Sequence, residues 1–324
     1  MKYKLILFIL FNTLNAAKFD KVVIWGHKLY SHTSSFIHYG FFKAFTYLGY
    51  KTYWLDNSDD ISKLDLSNAL FITEGQVDQR MPHIPDGTYL LHNCDMQKYK
   101  DLAPNQALIF QVYTNDCENR GCKKLAPYIL YNLNSDPGII YMPWPTDLLP
   151  YEINEVKNEI SKHGIKRDGE VVFVGTIWDG LYGNIDKLNK FHAAVKRNSI
   201  QFNSFSSVTI EESIKLVRNS YMAPAIQGEW QCDVGYIPCR IFKNISNGKL
   251  GITNNKTVYE LFDRRIVYNA DCYELFLEAH QKMQSLQIDE LFEMMDFVRD
   301  NHTYLNRIDA LLRVLEFIKG KAAE

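Results

Sequence analysis

Arg240 and Lys243 stand three residues apart in the run Gly235–Gly248, and that spacing puts two side chains on one face of a helix. Pro238 suits the first helical position and Gly248 the C-terminal cap. Such a helix starts straight after a loop, so its free N–H groups can face an anion. An arginine in the first turn opposes the helix dipole unless an anion offsets it. Two cations beside a helix N-terminus suit a diphosphate; the bland reading is a solvated basic face. A second set of groups follows apolar runs in the first half: His27 and His32 between Gly26 and Ser34, then Glu74, then Asp95. Histidine titrates near neutrality, so His27 or His32 can take a proton from a hydroxyl, with Glu74 and Asp95 as the carboxylate alternatives. Gly175, Thr176, Gln227, Ser246, Thr253, Asn254 and Asn255 join Arg240 and Lys243 as candidates for holding the phosphate-bearing partner.

The elements that must position these groups read as alternating strands and helices. Val22–Trp25, Lys51–Leu55, Ala69–Thr73, Thr88–Leu91 and Ala107–Val112 are short apolar runs, followed by Tyr128–Tyr131 and Gly138–Met142. Residues 36–48 carry aromatic and aliphatic side chains at helical spacing, and Gly49 stops them. Short buried strands joined by helices predict a parallel sheet with helices on both faces, and in such sheets ligands bind beyond the carboxyl ends of the strands. The run from Pro143 to Pro150 holds three prolines, which continue neither a helix nor a central strand, so it reads as a linker. A second α/β series starts at Val171–Gly175. Tyr221–Ile226 leads into a loop, 239–247 is helical, and the chain from 272 onward is helical, with 310–318 strongly apolar.

The chain has 324 residues, 46% hydrophobic and 23% charged, which suits two soluble globular domains. A net charge of −2 gives the molecule no overall pull toward nucleic acid, so an anion must be held by a local cluster. No GxGxxG follows the first strand and there is no P-loop, so no dinucleotide cofactor is expected. Asp56-Asn57-Ser58-Asp59-Asp60 lacks a strict DxD and reads as a solvated turn, and no metal site is expected. The six cysteines form no paired CxxC units. Cys117 and Cys122 can bridge in an oxidising compartment or stay as free thiols. Residues 1–17 join a basic start, an apolar run and small residues, as a signal peptide does; the alternative is a first strand or helix packed on the fold. The first reading places the protein in a secretory route and the second in the cytoplasm. Any membrane association would run through this terminus.

Residues 208–319 resemble the donor-binding half of GT-B glycosyltransferases, closest to the group-1-like subset related to spore-coat maturation enzymes. The residues that carry the likeness are Glu211–Ser220, the run Pro238-Cys239-Arg240-Ile241-Phe242-Lys243-Asn244-Ile245-Ser246-Asn247-Gly248, Thr253-Asn254-Asn255, and Asn301–Ile308. The resemblance implies two Rossmann-like α/β domains facing across a cleft, with C-terminal helices. An acceptor domain would span 18–147, a nucleotide-sugar domain 148–303, and a helix over 304–324 would cross back to the first domain. It implies transfer of a sugar from a nucleotide-sugar co-substrate to a glycan, protein or small-molecule hydroxyl, with no cofactor and no nucleic-acid partner. Many retaining members carry two glutamates eight positions apart, where this chain has Gly235 and Lys243. That departure speaks against retaining chemistry of that pattern and leaves inversion as the expectation, and the missing DxD beside a positive cluster makes metal independence the expectation. A two-lobed exported sugar-binding protein and a sugar-nucleotide epimerase are the rival readings.

Overall fold

The structure, a computed structural model, describes residues 19–28, 33–103, 105–114 and 120–321. The signal-like segment 1–17, His32 and Cys117 lie outside the described residues. The first lobe is one eight-stranded sheet. It is built from β1 (Lys21–Trp25), α1 (Thr33–Tyr47), β2 (Lys51–Leu55), β3 (Ala69–Glu74), β4 (Thr88–His92), β5 (Ala107–Gln111), β6 (Lys123–Ala126), β7 (Ile129–Asn132) and β8 (Gly138–Tyr141). The strand order is β2-β1-β3-β4-β5-β8-β7-β6. Strands β1 to β5 and β8 run parallel. Strand β7 runs antiparallel to both of its neighbours, where the sequence pattern predicted a parallel sheet. The turns from β6 to β7 and from β7 to β8 are too short for a crossover, so these strands can only reverse.

Alternation along the strands splits the apolar side chains between two cores. Val22, Ile24, Leu70, Ile72 and Leu90 pack on one face under Phe41 and Phe45 of α1. Val23, Trp25, Phe71 and Tyr89 pack on the other with Leu66, Met81 and Tyr99. That second face is covered by the connecting loops and a short 3-10 turn over Met96–Tyr99. Helices on both faces, the sequence expectation, are therefore replaced on this side by loops that carry their own apolar residues.

The second lobe holds α2 (Pro150–His163), β9 (Val171–Val174), α3 (Ile185–Arg197), β10 (Phe202–Phe205), α4 (Ile210–Asn219), α5 (Glu229–Asp233), α6 (Cys239–Ser246), β11 (Ile252–Thr253), α7 (Lys256–Leu261) and β12 (Val267–Tyr268). Three more helices follow: α8 (Cys272–Ser285), α9 (Ile288–Asn301) and α10 (Tyr304–Lys321). Parallel pairs β10–β9 and β11–β12 are joined through the segment Tyr221–Ile226 by bridges from Val171 to Met222 and from Ala225 to Thr253. That segment fills a central strand position, where the sequence pattern showed only a lead into a loop. Pro224 has no N–H to give the ladder, so only isolated bridges form there.

Pro143 and Pro145 between the lobes are buried rather than looped into solvent. Thr146 N donates to His302 O, and Arg307 Nε to Pro143 O. Helix α10 then lies against the first lobe: Ile308, Leu311 and Leu315 share the core of Val22 and Leu90. Tyr304 meets Phe41 edge to face at 4.8 Å.

Candidate active site

The turn after β1 is fixed by close approach. Gly26 lies at φ 96°, and a Cβ there would collide with Val77. Its carbonyl accepts from His38 Nδ1 at 2.7 Å and from Trp54 Nε1 at 2.9 Å. His27 follows at φ 52°, a left-handed conformation uncommon for a residue with a Cβ. The turn aims its imidazole at Glu74, with Nε2 3.6 Å from the carboxylate, both side chains being buried. Glu74 ends β3 and pairs in register with His92 at the end of β4.

His38 and His92 complete this cluster. The carbonyls of Gly26 and Phe110 can only accept, so each ring carries its proton on Nδ1, and the unprotonated Nε2 of His92 accepts from Asn93 Nδ2 at 3.1 Å. Burial lowers the His38 pKa to about 4 and also lowers that of His92, so both are neutral near pH 7. Glu74, His38 and His92 line a small cavity whose other wall is Phe41, Phe110 and Trp144. His38 was not singled out from the sequence. His38 sits inside an apolar helical run, where packing is the commoner role, and only the fold brings it under Gly26. Asp95 is exposed, and its carboxylate accepts from Gln97 N to cap the 3-10 turn. It serves that turn and not the cluster.

Across the cleft, β9 ends at Val174 and Gly175. The guanidinium of Arg240 lies under that end: Nε donates to Val174 O at 2.8 Å, and the group stacks 4.2 Å over the Phe173 ring. A Cβ at 175, where φ is 150°, would collide with Arg240 Nη2. No carboxylate pairs with Arg240 among the described residues, and burial lowers its pKa. It sits in the first turn of α6, which has no acidic residue there and no side-chain cap at Pro238. Pro238 stands at the cap rather than at the first helical position. Gly248, at φ 80°, follows the helix end as read from sequence.

Lys243 departs from the expectation of a shared face. Its Nζ lies 3.5 Å from Asp147 and 4.6 Å over the ring of Phe36 in the first turn of α1. Its charge is thus matched by the interlobe segment, while Arg240 turns back toward its own sheet. Ser246, at the far end of α6, shares a 2.7 Å hydrogen bond with Thr146 and belongs to the same seam. Gln227, Thr253, Asn254 and Asn255 are buried and satisfy one another. Asn255 Nδ2 donates to Gln227 Oε1, Asn254 Oδ1 accepts from Gln227 N, and Thr253 Oγ1 donates to Ala225 O. They shape the loop after residue 226 and spend their polar groups doing so. Thr176 is exposed beside Gly175, and its carbonyl accepts from Asn184.

The lobes meet at the same end of both sheets. Tyr113, just beyond β5, bridges to Tyr236, and Thr114 Oγ1 donates to Gly235 O. Phe36 under Lys243 brings α6 against the first turn of α1.

No family model matches the sequence, and no curated protein matches it. Solved structures do. An alpha-glucosyltransferase in complex with UDP superposes with a TM-score of 0.58 at 10% identity, over 91% of this chain and 99% of that one. The chain has the GT-B fold. An alpha-glucosyltransferase with UDP and a 13-mer DNA containing a HMU base gives 0.58 at 11% identity, over 90% of this chain and 99% of that one. The alpha,alpha-trehalose 6-phosphate synthase from Burkholderia multivorans gives 0.55 at 10%, over 94% and 100%. Placed on this fold, Glu74, His27 and His92 lie at the strand ends of one lobe and Arg240 under a strand end of the other.

Proposed function

We propose that this protein transfers a sugar from a nucleotide-sugar donor to an acceptor hydroxyl, without metal and with inversion. Arg240 carries the reading: a half-buried cation with no carboxylate partner among the described residues, at the strand end where a phosphate would arrive. The paired Glu74 and His27 stand on the other lobe as the base. His27, oriented by Glu74, takes the proton of the acceptor hydroxyl. The freed oxygen attacks the anomeric carbon, and the bond from that carbon to the diphosphate breaks. Arg240 and the N–H group of Thr176 balance the charge left on the diphosphate.

The run Pro238–Gly248 supports placement in the group-1-like subset related to spore-coat maturation enzymes. UDP is the nucleotide named in two neighbours, and it is the first donor base to try. The acceptor is a glycan, protein or small molecule rather than nucleic acid, since a chain of net charge −2 gathers no phosphate backbone.

The test is a thermal-shift panel of UDP, GDP, dTDP and CMP with their sugars. One nucleotide is expected to stabilise the protein by about 2.7 kcal/mol at a hundredfold excess over its dissociation constant. Gly175→Ala should weaken that nucleotide about tenfold or more, since the added methyl displaces the guanidinium. Free sugar binding with no nucleotide response would point to the sugar-binding protein instead. Donor turnover to an epimer without acceptor would point to the epimerase.

A further inference from the structure

Between β9 and α3 the chain exposes four large apolar side chains: Ile177 at 38%, Trp178 at 57%, Leu181 at 75% and Tyr182 at 55%. Such a cluster on an otherwise polar surface marks a contact site. The loop is built, not slack. Asn184 Oδ1 accepts from Trp178 N at 3.1 Å, and Gly183 N donates to Gly180 O at 2.9 Å. Gly183 lies so close under Trp178 O, and Gly228 under Gly183 O, that a Cβ at either position would collide.

The loop also continues into the cleft as a ladder of rings. Tyr182 meets Trp230 at 4.9 Å, Trp230 meets Tyr113 of the first lobe at 5.5 Å, and Tyr113 meets Tyr236 at 5.8 Å. Charge decides what can lie on it. Residues 176–186 and 228–235 hold four carboxylates, Asp179, Asp186, Glu229 and Asp233, against the adjacent cation Lys187, which lies near Cys232, so the balance is negative. A nucleic acid or an anionic bilayer would be repelled. A neutral carbohydrate fits: its C–H faces suit the negative faces of the rings, and its hydroxyls can donate to carboxylates.

We propose that Trp178, Tyr182 and Trp230 form a subsite that holds a neutral oligosaccharide, the acceptor chain, at the mouth of the cleft. The word acceptor rests on the glycosyl-transfer reading; the carbohydrate contact itself does not.

The experiment titrates the full chain with neutral gluco-, manno- and galacto-hexasaccharides, following tryptophan fluorescence. Heparin, a single-stranded oligonucleotide and phosphatidylglycerol vesicles are run in parallel. At least one neutral hexasaccharide should bind. Trp178→Ala with Tyr182→Ala should weaken it about tenfold or more, while UDP affinity and circular dichroism stay unchanged. Tyr47→Ala, an exposed aromatic elsewhere, should have no effect. The proposal falls if no neutral hexasaccharide binds the parent protein, if the double variant binds as well as the parent, or if the loop-dependent ligand is the oligonucleotide, heparin or the vesicle. A parent that binds hexasaccharide through the loop but no nucleotide would overturn sugar transfer and leave the subsite standing.

Discussion

Arg240 and Lys243 show how little a shared helix face decides by itself. Arg240 folds back onto Val174 O and Phe173, and Lys243 reaches forward to Asp147. Lys243 is thus matched by a carboxylate, whereas Arg240 bonds only to carbonyls among the described residues. In the first lobe, His27 Nε2 faces the Glu74 carboxylate, whereas His38 and His92 are held neutral and bonded to carbonyls through Nδ1. Glu74→Gln keeps the shape and removes the charge that orients His27. Turnover should fall by roughly 10²–10⁴-fold with donor affinity kept. Single-turnover transfer and calorimetric donor binding on the same variant check this, and near-normal turnover would move the base elsewhere.

Helix α1 links the site to the core, and two changes on it separate those tasks. His38 is depressed from 6.5 to about 4 by burial. As pH falls from 6.5 toward 4, the unfolded chain gains a proton that the folded one refuses. Stability is therefore full above pH 6.5 and declines by about 3 kcal/mol as the pH drops to 4. His38→Gln keeps a donor for Gly26 O and should flatten that part of the acid limb in urea melts taken from pH 7 to 4. An unaltered slope would show that other groups set it. Two residues along, Gly40 lies against the ring of Tyr304, and a methyl there would overlap the ring. Gly40→Ala should cost about 1–3 kcal/mol by overpacking, although alanine is the better helix former. Equilibrium urea unfolding decides between the two effects: a gain in stability would mean that α10 sits less tightly on α1 than the structure shows.

At the scale of the whole molecule, the two sheets meet through α6, the buried prolines and the returning helix α10. The acidic stretch 56–60 stands apart from that seam and is occupied with its own turn. Asp59 pairs with Lys28, Asp56 Oδ1 accepts from Ser58 N, and Asp60 Oδ1 from Ser62 N. Transfer should survive exhaustive chelation, because a guanidinium and backbone N–H groups can stabilise the leaving diphosphate. Assay before and after chelator, with magnesium or manganese added back, checks this. A loss restored by metal would turn attention to Asp56, Asp59 and Asp60.

Local pattern was enough for the strands, most helices, the helix from 239 and the strand ends where polar groups gather, because apolar period and turn residues are set within a few neighbours. From these the α/β class and the regions of the site could be read, and the GT-B fold followed from the resemblance in the C-terminal half. The same pattern placed Lys243 and Ser246 beside Arg240, and it passed over His38. Which way a lysine turns depends on an aspartate 96 positions earlier in the chain, Asp147 against Lys243. Whether a histidine in an apolar helix is inert depends on which turn lies above it, here Gly26. The reversal of β7 and the strand role of Tyr221–Ile226 were likewise settled by partners distant in sequence. Those pairings exist only once the sheets have formed, since hydrogen bonds and ion pairs between distant residues are chosen by the packing that brings them together.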